Sequence, residues 1–295
     1  MATRNLHAEI TGKIIAALDR GVVPWRKPWH DYGSGAMPRN AITGRAYSGV
    51  NVPLLWMARD ESAYPTSRWL TFKQALDAGG NVRKGEKGNL VIYVGAIEKD
   101  NNAGEKERIA FLKSFTVFNL AQCEGLEALD DTTPPAINPG ERNQLAETFL
   151  KSSGAHITHG EARAYFSNKQ DRINLPLFES FTGSAEYYST AFHELTHWTG
   201  HESRLNRTFG KRFGDNAYSA EELVAELGSA FLCAEFGFDN ETLDNSAAYI
   251  DHWRGVLKAN ERLFTAAAAA ASKAHEYLRD LANAAPVEEW LIAAE

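Results

Sequence analysis

The sequence predicts an α+β fold in two domains: a small α/β domain over residues 1–123 and a mainly helical one over 141–295, joined by a linker at 124–140. Three observations predict it. Residues 124–140 contain Asp130-Asp131, Pro134-Pro135 and Pro139-Gly140, which continue neither helix nor strand. Strand-like runs are clearest before this stretch, and helical periodicity dominates after it. The charge also changes sign there. Residues 1–123 hold 17 Lys and Arg against 11 Asp and Glu, a balance of +6; the remainder holds 14 against 27, a balance of −13, and the net is −7. With 295 residues, both halves have room for a core.

The elements follow in order. Ile10, Ile14, Ile15 and Leu18 recur at helical spacing, so residues 5–20 form an amphipathic helix that Gly21 closes. Pro24 and Pro28 forbid its continuation, and a Gly/Ser turn occupies 33–35. Helices are expected at 51–58 and 71–78, the second ended by Gly79-Gly80. Residues 90–97 and 111–118 read as strands around the polar turn 99–106. Residues 165–176 carry a further strand after a polar turn, with Ile173 and Leu175 on one face. Pro176 forbids an interior continuation, and an edge strand or a plain sheet strand fits the segment equally well. A long alanine-rich helix is expected over 245–284, and no internal repeat is visible.

Composition narrows the class. The first twelve residues are polar, unlike a secretory leader, and no apolar run approaches a membrane span; Ala266 to Ala271 reads as a helix interior. Cys123 and Cys233 are far apart in sequence, which suits a reducing cytoplasm. The expectation is a cytoplasmic protein with no membrane partner and an oligomeric state the sequence leaves open.

Residues 193–197 read His-Glu-Leu-Thr-His, the H-E-x-x-H pattern of zinc hydrolases. Positions four apart on a helix differ by about 40° around its axis, so His193 and His197 share a face and both imidazoles can hold one Zn²⁺. Another divalent transition metal would suit the same donors. Glu194, beside them, can polarise water as the catalytic base. Ser189 or Thr190 is a candidate cap for this helix, and Gly200 stops it. Downstream, residues 219–228 read as a helix start with acid in its first turn. Glu222 and Glu226 are one turn apart on it, and Glu221 reads as a solvated acid. Glu222-x-x-Ala225-Glu226 resembles the E-x-x-A-[DN] segment of glutamate-liganded zinc peptidases, in which the first acid binds metal. Glu222 is therefore the expected third ligand, with Glu226 as second-shell partner or alternative ligand. His201 follows the turn at Gly200 too closely to reach back, and Ser203 stands where the longer metzincin pattern needs histidine. Zinc peptidases commonly carry an edge strand ahead of the metal helix, and residues 165–176 stand in that place.

The first 90 residues interleave aromatic and basic side chains, the mixture that holds single-stranded nucleic acid by stacking and phosphate neutralisation. Candidate contacts are Trp25, Arg26, Lys27, Arg39, Arg45, Tyr47, Trp69 and Lys73, together with Arg83, Lys84 and Lys87 in a basic glycine loop. These segments, Gly21-Val22-Val23-Pro24-Trp25, Pro28-Trp29, Pro38-Arg39-Asn40, Thr43-Gly44-Arg45 and Trp69-Leu70-Thr71-Phe72-Lys73-Gln74-Ala75, resemble the single-strand-binding domain of ArdC-type antirestriction proteins. A similar domain is found in plasmid conjugative primases. The second half resembles that family's zincin-like metallopeptidase domain through His193, Glu194, His197 and the acidic helix. The resemblance implies a plasmid-borne protein that binds single-stranded DNA and protects incoming DNA from host restriction during conjugation; a host protein is one candidate substrate of its zinc site, but the motif does not supply the substrate. Two other readings compete with it. One is a dedicated cytoplasmic zinc peptidase whose first domain recruits protein substrate. The other keeps DNA binding with a structural or vestigial zinc site, which the intact Glu194 argues against.

Overall fold

The structure is a computed structural model that describes residues 4–25, 37–100, 106–126, 141–210, 216–238 and 247–284. The first half opens with α1 (Leu6–Asp19), whose Asn5 side chain accepts from the Ala8 amide. A four-stranded sheet follows, ordered β1 (Arg39–Asn40), β2 (Arg68–Leu70), β5 (Lys106–Asn119), β4 (Asn89–Asp100). β1 and β2 are parallel; the other pairings are antiparallel. β4 and β5 form a long hairpin paired from Asn89↔Val117 to Asp100↔Lys106, so the strands reach beyond the expected runs. α2 (Asn51–Glu61) protects the outer strand: the Asn51 amide donates to the Ile92 carbonyl and accepts from the Ile92 amide, both at 2.8 Å. α3 (Phe72–Asp77) begins at a capping box between Thr71 and Gln74. The short pair β3 (Asn81–Val82) and β6 (Cys123–Glu124) closes this half.

In the second half, α4 (Gln144–Ser152) precedes a three-stranded sheet ordered β7 (His156–His159), β9 (Arg172–Leu175), β8 (Tyr165–Ser167). The strand expected over 165–176 is thus two strands. Asp171, at φ 46°, turns β8 into β9, and β9 becomes central because β7 pairs on its other side. β8 is the edge. The helices are α5 (Ser184–Thr199), α6 (Asn216–Phe236), α7 (Ala247–Ala259) and α8 (Leu263–Ala284). The single helix expected over 245–284 is broken at Asn260, whose Oδ1 accepts from the Arg262 amide at 3.0 Å in place of a helical bond. α5 begins at Ser184, earlier than the expected cap. Thr182 donates through its amide and hydroxyl to Glu186, both at 2.7 Å, while Thr190 lies inside the helix and donates to the Glu186 carbonyl. α6 likewise begins at Asn216, three residues ahead of the expected start.

The principal core crosses the expected domain boundary. Leu6, Ile10, Ile14 and Leu18 of α1 and Val52, Leu54 and Met57 of α2 share it with Leu223, Leu227 and Phe231 of α6, Trp253 of α7 and Phe264 of α8. Ala267, Ala268 and Ala271 let α8 approach closely. Trp25 lies in this core with its ring 6.1 Å from Trp253 and 5.4 Å from Phe264. A second core packs α4, β9 and α5 together with α6 and α8, and a third sits under α3 with Ala41, Leu70, Ala75 and Val82. Most of the expected linker, 127–140, lies outside the described residues. Among those described, no helix is long and apolar enough to cross a membrane.

Candidate metal centre

The site is made where α5 crosses α6. Gly228 makes room for the crossing: a Cβ there would fall 2.5 Å from Thr196 Cγ2, so the Thr196 side chain packs against α6 in space that a larger residue would fill. Ser229 adds a buried hydrogen bond to the Ser189 carbonyl at 2.8 Å. This contact sets one turn of α6 against the histidine face of α5.

His193, His197 and Glu222 converge there. The two Nε2 atoms are 3.1 Å apart, and each is 3.6 Å from a Glu222 oxygen. All three ligand-type atoms lie within 4.8 Å of one another. Glu194 is buried next to them. Burial disfavours protonation of His193, but the hydrogen bond to Glu222 and the charges of Glu194, Glu222 and Glu226 outweigh it and lift the imidazole to about 9. Burial likewise opposes the Glu222 carboxylate, and the two histidines more than compensate, holding it below its ordinary value. The Tyr218 hydroxyl faces Glu222; desolvation and that carboxylate push it up to about 12, so it keeps its proton at neutral pH.

Glu221 holds the outer nitrogen of His197. Its Oε1 is 3.2 Å from Nδ1, which leaves Nε2 turned toward Glu222. Arg207 grips the same carboxylate with two bonds at 2.8 and 2.9 Å, and also donates to the Thr196 carbonyl and the Thr199 hydroxyl at the end of α5. Burial would raise the Glu221 carboxyl, yet Arg207 and His197 keep it lowered. Arg204 caps α5 from the other side, donating to the Trp198 carbonyl at 2.6 Å, lying 3.8 Å from the Trp198 ring centre, and pairing with Asp171. The loop after α5 thus returns two arginines to the helix end that carries the histidines.

These positions correct the sequence reading in part. Glu221 is a buried positioning group, not a solvated acid. Glu226 contacts neither histidine: its Oε2 accepts from Trp25 Nε1 at 2.6 Å and from the Tyr249 hydroxyl. Arg207 and Gly228 had no local signal, because their roles depend on a helix crossing. His201 pairs with Ser203, outside the cluster.

The nucleic-acid candidates divide. Trp25 and Trp69 are 1% and 0% exposed, so neither ring offers a face for stacking. Tyr47 is half-buried against the core. Arg39, Arg45, Lys73, Arg83, Lys84 and Lys87 are exposed. Arg26 and Lys27 lie outside the described residues.

Comparison with known proteins bears on both halves. Residues 4–118 match the model of the N-terminal domain of anti-restriction factor ArdC, and 144–270 match a zincin-like metallopeptidase model. The chain is 36% identical over 280 residues to an uncharacterised protein of Sinorhizobium fredii, covering 90% of this chain and 89% of that one. It is 38% identical to a DNA primase TraC of Escherichia coli, but spans only 20% of that primase. The antirestriction ArdC protein from plasmid R388 superposes with a TM-score of 0.80 in its metal-free crystal structure, at 39% identity over 95% of this chain and 98% of that one. Its Mn(II)-bound structure superposes at 0.79, with 38% identity over 96% and 100% of the two chains.

Proposed function

This chain belongs to the ArdC-type antirestriction family, and on that premise we propose that it is a plasmid-borne protein combining single-strand DNA binding with a metallopeptidase-type site, and that it protects DNA entering by conjugation. The observation that carries the catalytic half is the convergence of His193, His197 and Glu222 beside the buried Glu194. Two imidazole nitrogens and a carboxylate fit a divalent ion, Zn²⁺ first and other transition metals after it. When bound, that ion supplies Lewis-acid polarisation of a peptide carbonyl and of water. Glu194 takes the proton that water gives up on its carboxylate and returns it to the departing amide nitrogen. Glu221 and Arg207 hold His197 in the orientation this needs. The edge strand β8 offers an extended peptide a pairing partner, and Phe166 on it reaches the site through Phe209, 6.0 Å away, which in turn lies 6.3 Å from His197.

DNA binding is carried by the charge of the first half and its exposed cations. The division at 124–140 is kept as a division of labour, since the cores are shared. The alternative, a dedicated peptidase whose first half recruits protein substrate, gains from the burial of Trp25 and Trp69. Titration of the full chain with single-stranded and duplex DNA of equal length separates the two. Tighter, salt-dependent binding of the single strand is expected, with Glu194→Ala binding DNA as before and failing to cleave. Absence of DNA binding selects the peptidase reading.

A further inference from the structure

We infer that single-stranded nucleic acid lies across one face of the first half, built by the turn 40–45, α3 and the loop 83–88, and that Phe72 is the side chain on which a base stacks. The inference rests on the proposed DNA binding and adds where it happens. These three segments are separated in sequence but locked together. Asn40 donates to Gln74 Oε1 at 3.0 Å and accepts from the amides of Ile42 and Thr43, while Gln74 closes the α3 capping box. The Phe118 ring joins α3 to the loop. Phe72 meets it edge-on at 6.4 Å, and Gly88 lies so close that a Cβ there would fall 3.1 Å from the same ring and 2.1 Å from Thr116. Gln122 then holds the loop, donating to Glu86 and to the Lys87 carbonyl at 2.9 Å each.

What this frame presents outward is unusual for a soluble surface. Phe72 is 49% exposed, Leu76 one turn later 50%, and Ile42 43%. Phe72 and Leu76 form a single stripe along α3. Around it the three segments carry Arg45, Lys73, Arg83, Lys84 and Lys87 against two acids, Asp77 and Glu86. Glu86 is engaged by Arg83 at 2.8 Å and by Gln122. An exposed apolar stripe on α3, in a frame whose segments carry these exposed cations, matches a polymer with π-faces and a phosphate chain. A duplex hides those faces, so the occupant is single-stranded.

The test uses the full chain and a fluorescently labelled mixed-sequence oligonucleotide. Phe72→Ala is expected to weaken binding about ten-fold or more with the salt slope unchanged, because no phosphate contact is removed. Phe72→Trp should restore affinity, which an unfolded variant would not do. Lys73→Ala should lower the slope by roughly 0.7. Wild-type affinity in Phe72→Ala, with the unaltered chain binding single strands, overturns this surface and leaves the DNA-binding reading standing. Failure of the unaltered chain to bind overturns both.

Discussion

The donor cluster and the α3 face keep their charges in opposite ways. At the cluster, Glu221 answers Arg207 and His197, and Glu222 answers two histidines, all in a crossing too tight for a β-carbon at Gly228. On the α3 face the cations stand in water, and the hydrogen bonds lie beneath them among Asn40, Gln74 and Gln122. One region invests its polar groups in holding other side chains. The other holds its backbone and keeps most of its cations at the surface, with Arg83 paired to Glu86. Mutations should therefore act through position and stability at the cluster, but through affinity and salt dependence on the face.

The largest effect should come from Glu222→Ala. It removes one of three donors, so metal content measured after dialysis should fall from about one ion per chain to near zero. Glu226→Ala should retain the ion, because that carboxylate serves Trp25 and Tyr249. Loss in Glu226→Ala with retention in Glu222→Ala would reverse the assignment.

Next is Arg207→Ala. It leaves Glu221 buried without its main counter-charge, and breaking such a pair costs about 3–5 kcal/mol. Denaturant titration should read this, whereas Arg45→Ala on the open face should stay within about 0.5 kcal/mol of the parent.

How much of this was legible depends on the range of the interaction. His193, Glu194 and His197 were readable because helical spacing alone puts them together. Glu222 was readable through a short motif. The choice between Glu221 and Glu226 was not, because it depends on which side of α6 meets α5 and which meets Trp25, some 200 residues earlier in the chain. The tryptophans misled for the same reason: composition registers a ring but not whether α7 and α8 cover it, as at Trp25, or Leu55, Val91 and Val117 do, as at Trp69. The helix over 245–284 was broken by the local side-chain bond of Asn260, which periodicity cannot detect. On the α3 face, composition identifies the cations but does not show that Phe72 and Leu76 are left exposed beside them.

A smaller effect tests the crossing itself. Gly228→Ala should cost about 1–3 kcal/mol through overpacking and reduce metal affinity by separating α5 from α6. Thr196→Ala removes the methyl and hydroxyl that the new Cβ would strike. The double variant should recover stability relative to Gly228→Ala, so a double-mutant cycle should give a coupling above about 0.5 kcal/mol. Strict additivity would mean the helices do not meet there.

The smallest effect concerns Glu226, where the two halves of the chain share a buried carboxylate. Burial raises its carboxyl from 4.5 to about 7, although Tyr249, His193 and Trp25 favour the charged form. Its folded form therefore binds a proton more tightly than its unfolded form. The stability contributed by the acid is complete below about 4.5 and is lost as pH rises through about 7. Glu226→Gln keeps an oxygen for Trp25 and Tyr249 and removes the ionisation. Thermal unfolding at pH 8 should then show a gain in stability over the parent, and at pH 4.5 the difference should vanish. The Arg207–Glu221 pair predicts the opposite slope, because a lowered carboxyl loses its stabilisation on acidification. A parent whose stability rises from pH 5 to 8, with Glu226→Gln parallel to it, would mean that Glu226 is ionised throughout and that Trp25 binds a charge rather than an acid.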